Sequence, residues 1–221
     1  SLGVCFGVFA LIVVMSVMNG FQMSFIDSIM EISSYDLRVS NLSLENSFDF
    51  NSFCEDSEEI TCIVPFYEVQ GLMAGNTGNQ SASLIRAIDK NVASYDEKFI
   101  KELNVFAGEF DLSEKDAIVV GNTLAKNLGL RIGSKVNIVA MSGSNEVSLL
   151  SQNRVFTVKG IFFSGYADIN ASYSFINLDY ALENLCELED LTYGIKLEKQ
   201  NKDSVFSGIL KSKFDGINVE S

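Results

Sequence analysis

Residues 1–26 read SLGVCFGVFALIVVMSVMNGFQMSFI, and none of them carries a charge. The first charged residue is Asp27, so every acidic and basic side chain of the 221-residue chain lies beyond this stretch. From Leu2 to Met18 the only clearly polar residue is Ser16, and ten residues are Leu, Ile, Val or Phe. At roughly −0.3 to −0.6 kcal/mol each, those ten favour insertion into a bilayer by about 3–6 kcal/mol. A spanning helix needs ~20 apolar residues at ~1.5 Å rise each, so the stretch reads as a transmembrane helix. A cleaved signal peptide is one alternative, but there is no basic segment before the apolar run. Nor does Asn19-Gly20-Phe21-Gln22 offer a small-residue cleavage pattern. A buried helix of a soluble domain is the other, and 26 uncharged residues is long for one. Gly3 and Gly7 form a G-x-x-x-G, the spacing that lets a second membrane helix approach closely.

The helical spacing continues past the uncharged stretch. Phe21, Phe25, Ile26, Ile29, Met30 and Ile32 recur at intervals of three and four, with Asp27, Ser28 and Glu31 between them. Residues 1–32 are thus expected to form a membrane helix with a stalk, and Phe25, Ile26 and Ile29 are its candidate coupling positions. Between Asp27 and Glu45 the only basic residue is Arg38, which suits the non-cytoplasmic side of a membrane.

The rest of the chain has the composition of a water-exposed body. Its 16 basic residues face 29 acidic ones, a net charge of −13. Phosphate contacts need clustered Lys and Arg, so nucleic acid is excluded as a partner, and so is lying flat on anionic lipid headgroups. There is no His and no Trp. The usual acid/base near neutral pH and the commonest metal ligand are therefore missing. Cys5, Cys54, Cys62 and Cys186 have no C-x-x-C spacing, which leaves metal and redox motifs unsupported. Cys54 and Cys62 could pair in an oxidising compartment or serve as small buried hydrophobes. No Ser–His or Cys–His pair, no G-x-S-x-G and no calcium loop occurs, and the Gly75–Gly78 turn lacks a phosphate-loop Lys. Neither catalytic residues nor a metal or other cofactor is expected.

Along the body, Tyr35–Ser40 alternates as a strand, part of 41–59 reads as a helix, and Ile60–Met73 is a longer strand. Pro65 lies within it and belongs at an edge or bulge, because proline donates no ladder bond. Turn residues at 74–79 precede a third strand, Ser81–Ile88. Near the end, Leu191–Leu197, Lys202–Lys213 and Gly216–Glu220 repeat strand, helix, strand. The two ends together suggest a split β-α-β layer with helices on one face. The middle carries strands at Ala117–Gly121, Lys135–Ala140, Arg154–Phe163 and Ser172–Ile176. Short helices are expected at Asp96–Leu103, from Asn122 or Thr123 to Leu128, and from Asn177 to Leu185, with a loop over Ser164–Asn170. The expected fold class is α+β: a transmembrane helix and stalk (1–32), an α/β subdomain (33–90 plus 190–221) and an inserted β-rich, barrel-like subdomain (91–189). Met141–Asn153, polar but with an apolar patch, links two strands. Met141, Ser144, Glu146, Val147, Leu149 and Leu150 are its candidate partner-binding residues, an ordinary hairpin tip being the alternative.

Ala10-Leu-Ile-Val-Val-Met-Ser-Val-Met-Asn-Gly-Phe-Gln22 resembles the end of the first membrane helix in the lipoprotein-releasing permease family (LolC/LolE type). Ile118–Val136, IVVGNTLAKNLGLRIGSKV, resembles that family's G-x-x-L-A-x-x-L-G-x-x-x-G-D-x-V block, with Ser134 where Asp is common. Phe156–Gly165, FTVKGIFFSG, resembles its F-x-V-x-G-x-F-x-S-G strand, and Tyr180-Ala-Leu182 its later helix. The resemblance implies a non-catalytic ABC transporter permease in the cell inner membrane, with its main domain on the periplasmic side. It implies as partners a cytoplasmic ABC ATPase, a second permease subunit or a second copy, lipoprotein cargo and a periplasmic lipoprotein carrier. Motion of the ATPase would pass through the first helix to two periplasmic parts, Porter-like and Sabre-like. In the carrier-binding member of that family a projecting hairpin meets the carrier, and Met141–Asn153 stands in its place. That loop has no proline and Glu146 as its one charge. MacB-type efflux and FtsX-type cell-division permeases share the architecture and remain alternatives, with a membrane-tethered enzyme as one of another class.

Overall fold

The computed structural model describes residues 2–33, 35–57, 59–75, 78–140, 154–198, 203–214 and 216–220. The chain begins with one unbroken helix, α1 (Leu2–Ser33). Strand β1 (Leu37–Ser40) follows, then α2 (Leu44–Glu55), the long strand β2 (Ile60–Ala74) and β3 (Gln80–Ile88). Two short helices, α3 (Val92–Tyr95) and α4 (Glu97–Leu103), lead into β4 (Val105–Gly108). Next come β5 (Ala117–Gly121), α5 (Asn122–Leu128), β6 (Lys135–Ala140) and β7 (Arg154–Phe162). The chain continues through α6 (Ala167–Ser172), β8 (Tyr173–Asn177) and α7 (Leu178–Asn184), and ends with β9 (Thr192–Leu197), α8 (Asp203–Lys213) and β10 (Asn218–Glu220).

Both termini of the body meet in one layer, in the strand order β10-β1-β9-β2. Strands β1 and β2 each run antiparallel to β9, so they are parallel to one another with β9 between them and α2 as the crossover. Strands β9 and β10 stand in the same relation around β1, with α8 as their crossover. Helices α2 and α8 cover one face of this layer with apolar side chains. Phe50 lies edge-on to Tyr193 and Phe214, at 5.4 and 5.6 Å between ring centres. Phe206 and Leu210, four apart and so on one side of α8, are both buried in this core.

Helices on one face only was the expectation for this layer, and that is corrected. The opposite face is also covered, by Ile32 at the end of α1 and by Val92, Phe99 and Leu103 of α3 and α4, packed with Cys62, Val64 and Phe66 of β2. A β-strand places alternate residues on opposite faces, so a 15-residue strand with both faces covered must feed two cores. Cys54 and Cys62 fall in these two separate cores as free thiols.

Strand β2 belongs to two structures along its length. Its first half pairs with β9, from Ile60 to Phe66. From Phe66 onward it pairs with β3, and from Gly71 it pairs on its other edge with β6. Pro65 falls just before the β3 ladder begins, where that edge of β2 is open and a missing amide proton is tolerated. Beyond this point the pairings β2-β3-β8-β5-β7-β6 return to β2, closing a barrel. Its interior is filled by Ile85, Ile118, Val120, Val136, Ile138, Phe156 and Val158, all buried. The sheet is continuous from the open layer into the barrel, because β2 belongs to both.

Local signals set several boundaries. Gly129 ends α5 at φ 66°, a left-handed conformation that favours glycine. Asn177 caps α7 by accepting from the Tyr180 amide at 3.3 Å. Neither Asn122 nor Thr123 caps α5, however: the N-cap is Gly121 in extended conformation, and no side chain closes that end. The loop expected over Ser164–Asn170 is partly helix. The Asn170 side chain accepts from the Ser164 amide at 2.9 Å, and α6 packs on α5, so tertiary contact stabilises a helix too short to form alone. Strand β4, four residues with a bulge opposite β7, is too short to show a period.

Candidate coupling site

The distinctive geometry of the chain lies where α1 meets the body. Along α1 the apolar side chains Val4, Phe6, Val8, Phe9, Leu11 and Ile12 are 54–73% exposed. At the far end Ile32 is only 1% exposed. Among the described side chains of α1, those toward its start are exposed and Ile32 near its end is buried in the body. Among the described residues no helix is long and apolar enough to cross a membrane, the described side chains of α1 breaking off after Met18 and resuming at Ile32.

Arg86, fully buried on β3, reaches that end. Its Nη1 donates to the Ile32 carbonyl at 2.7 Å. The last four carbonyls of a helix lack an internal partner and carry the negative end of its dipole, so a cation there is favourable. The other edge of the guanidinium meets Glu68, its direct cross-strand neighbour on β2, with Nε donating to Oε1 at 2.6 Å. Arg38 of β1 approaches the second oxygen of Glu68 at 3.5 Å. The Arg86 guanidinium lies over three rings, 5.1 Å from Phe66, 5.4 Å from Tyr173 and 5.8 Å from Tyr35.

Tyr35, just beyond α1, locks the same junction. Its ring stacks on Phe66 at 5.2 Å and lies flat against Gly194 of β9, where a Cβ would stand 2.4 Å from the ring. Burial pushes the Tyr35 phenol up to about 12, with Arg86 opposing that rise. Lys196 of β9, its Nζ 5.8 Å from the centre of that ring, pairs with Asp96 at 2.6 Å, both largely buried. Asp96 also caps α4, accepting from the Phe99 amide at 3.2 Å, and α4 packs on α1. Two ion pairs, one holding the buried Arg86 and the other the buried Asp96, thus bracket the end of one helix with residues from β2, β3, β9 and the start of α4.

The positions named from sequence are other residues than these. Met141, Ser144, Glu146, Val147, Leu149 and Leu150 lie outside the described residues. Phe25, Ile26 and Ile29 lie within α1, though their side chains are outside the described set. At Gly3 and Gly7 nothing stands within 4 Å of where a Cβ would be. Sequence reasoning missed Arg86, Glu68, Tyr35, Asp96, Lys196 and Gly194. One signal was present, an arginine standing alone in the apolar run Leu84-Ile85-Arg86-Ala87-Ile88. Among the described residues no group of three or more Cys, Asp or Glu could hold a metal. Burial also pushes the Cys54 thiol up to about 12, the character of a packed thiol and not of a nucleophile.

A split α/β layer and a barrel sharing one strand, borne on the end of a long apolar helix, define a class of helix-borne mixed α/β domain. The chain belongs to the MacB-like periplasmic core domain family, whose match covers residues 1–203. It is 32% identical over 188 residues to the lipoprotein-releasing system transmembrane protein LolC of Haemophilus influenzae, covering 80% of this chain and 44% of that protein. It is 26% identical over 203 residues to the LolC of Neisseria meningitidis serogroup B, covering 89% of this chain and 47% of that protein. The chain thus spans about half the length of the curated relatives it matches. The periplasmic region of MacB from Actinobacillus actinomycetemcomitans has the same fold, with a TM-score of 0.55 at 11% identity over 87% of this chain and 91% of that one. The resemblance to LolC-type permeases carried by residues 10–22, 118–136 and 156–165 is matched by these relatives.

Proposed function

We propose that the chain is the periplasmic part and first membrane helix of an ABC transporter permease that releases lipoproteins from the inner membrane to a periplasmic carrier. The observation that carries this reading is the form of α1. It is 32 residues long, about 48 Å at ~1.5 Å per residue, and its apolar side chains are exposed toward its start while its end is buried in the body. A helix built this way can pass displacement along its axis into the body. The charge-free run 1–26 supports placing its first part in the bilayer, and the names of the LolC relatives support lipoproteins as the substrate class. In this reading a cytoplasmic ATPase drives α1, Gly3 and Gly7 face a second membrane helix, and a second permease subunit or second copy completes the transporter. The body divides into a Porter-like part (33–90 plus 190–221) and a Sabre-like part (91–189). Met141, Ser144, Glu146, Val147, Leu149 and Leu150 contact the carrier.

The test uses the full-length permease with its ATPase in nanodiscs. Proline in place of Ile26 or Ile29 removes a helix hydrogen bond and costs ~3 kcal/mol or more locally. ATP hydrolysis is expected to persist while lipoprotein release falls sharply and the body stays folded. Normal release from both variants reduces α1 to a tether. Co-purification of an outer-membrane channel in place of a lipoprotein carrier replaces release by efflux.

A further inference from the structure

We infer that Arg86 is the positioning residue that fixes the direction in which α1 leaves the body, by pinning the helix terminus to the point where the open layer becomes the barrel. The inference rests on the proposal that α1 transmits motion, and it names the joint through which the motion enters.

Stability alone does not account for a buried arginine here. Replacing buried ion pairs with apolar groups of similar volume is often neutral or stabilising, so a charge in an otherwise apolar core is poor glue. Direction is what the guanidinium supplies. Its planar fork sends Nε and Nη2 to one oxygen of Glu68 on β2 and Nη1 to the Ile32 carbonyl on α1. Lysine, with one nitrogen, has no rigid fork to hold both partners. The anchor also sits at a particular place in the sheet. Glu68 lies two residues past Phe66, where β2 passes from its pairing with β9 to its pairing with β3, and three residues before Gly71, where the β6 ladder begins. Arg86 itself pairs with Phe175 of β8, and Tyr173 of the same strand lies under its guanidinium. A displacement delivered at Ile32 thus reaches β2, β3 and β8 at once. The open layer and the barrel both receive it through β2, the strand they share.

The test is a distance measurement in the full-length permease complex in nanodiscs, with spin labels at Ser16→Cys on α1 and Ser113→Cys on the body, and with Cys5 and Cys186 replaced by serine. Both label sites are exposed. In Arg86→Met and Arg86→Lys the body is expected to keep one cooperative thermal transition while the distance distribution widens about twofold, as a fixed joint becomes a hinge. Glu68→Gln, which leaves the arginine in place with a weaker partner, is expected to fall between these and the parent. A purely structural role lowers the transition temperature and leaves the width unchanged, and that result in the folded variants overturns the inference. If Arg86→Met fails to fold, Arg86→Lys decides alone, a parent-like width again overturning it. Widened distributions with normal lipoprotein release per ATP leave the joint standing and remove instead the reading that α1 transmits the motion.

Discussion

The two faces of the β10-β1-β9-β2 layer are built by different chemistry. One buries Phe50, Phe206, Leu210 and Phe214 between two helices and the sheet, with no charge in that group. The other places Arg86, Glu68, Lys196 and Asp96 among Tyr35, Phe66 and Phe99. Apolar contact is non-directional and roughly proportional to buried area, so the first face can hold the layer together but cannot aim anything. Hydrogen bonds and ion pairs fix angles. The polar face is the one that receives the end of α1. Adhesion and orientation are thus separated onto opposite sides of one sheet.

That separation can be broken from either side. The largest effect is expected from Phe50→Ala on the apolar face, a loss of about 3–5 kcal/mol in urea unfolding of the body. The same variant is expected to leave the Ser16–Ser113 distance distribution unchanged, and a widened one means the apolar face also aims the helix. Next comes Gly194→Ala, whose Cβ meets the Tyr35 ring at 2.4 Å and costs about 1–3 kcal/mol by overpacking. In the double variant with Tyr35→Ala that extra cost is expected to vanish. If it persists, contact with the ring is not its cause.

A smaller, pH-dependent effect isolates Tyr35 itself. Its phenol is held up at about 12 against an ordinary 10.0. Above pH 10 the unfolded chain loses that proton while the folded chain keeps it, so the folded state binds more protons and stability falls as pH rises. The contribution is complete below pH 10 and is lost progressively toward pH 12. Urea midpoints at pH 9 and pH 11 are expected to differ less in Tyr35→Phe than in the parent, and equal differences place the titrating group elsewhere. The smallest effect sharpens the contrast by control. Lys115 and Glu183 form an ion pair with both side chains more than half exposed. Lys115→Met is expected to change stability by less than ~1 kcal/mol, since solvent screens such pairs. A larger loss from thermal melts makes exposed pairs matter here as much as the buried ones.

Much of the architecture was legible in the order of residues. The run from Leu2 to Ile32 dictates a single helix, because its apolar spacing never breaks and no proline or cap interrupts it. Alternation marked most strands, including β7 and β9, and Asn177 and Gly129 marked helix ends through their own backbone chemistry. Elements with no signal of their own were not legible. Strand β4 exists because β7 offers it an edge, and α6 because α5 and the Asn170 side chain hold it.

The coupling site shows the same limit more sharply. Periodicity places Arg86 on a strand but does not tell whether its face meets water or a helix terminus. Glu68 is 18 residues away in sequence, Ile32 is 54 and Tyr173 further still, and only pairing brings them together. The need for glycine at 194 is likewise invisible until the Tyr35 ring lies across it. The sequence by itself determined a long apolar helix, an acidic body and the periods of its strands, since these depend on each residue's own preferences and near neighbours. Only the tertiary structure decided that β2 serves two cores, that one face of the layer is apolar and the other charged, and that a buried arginine holds the end of α1. Each of these depends on which distant segments pair, and on what then becomes of the water around their polar groups.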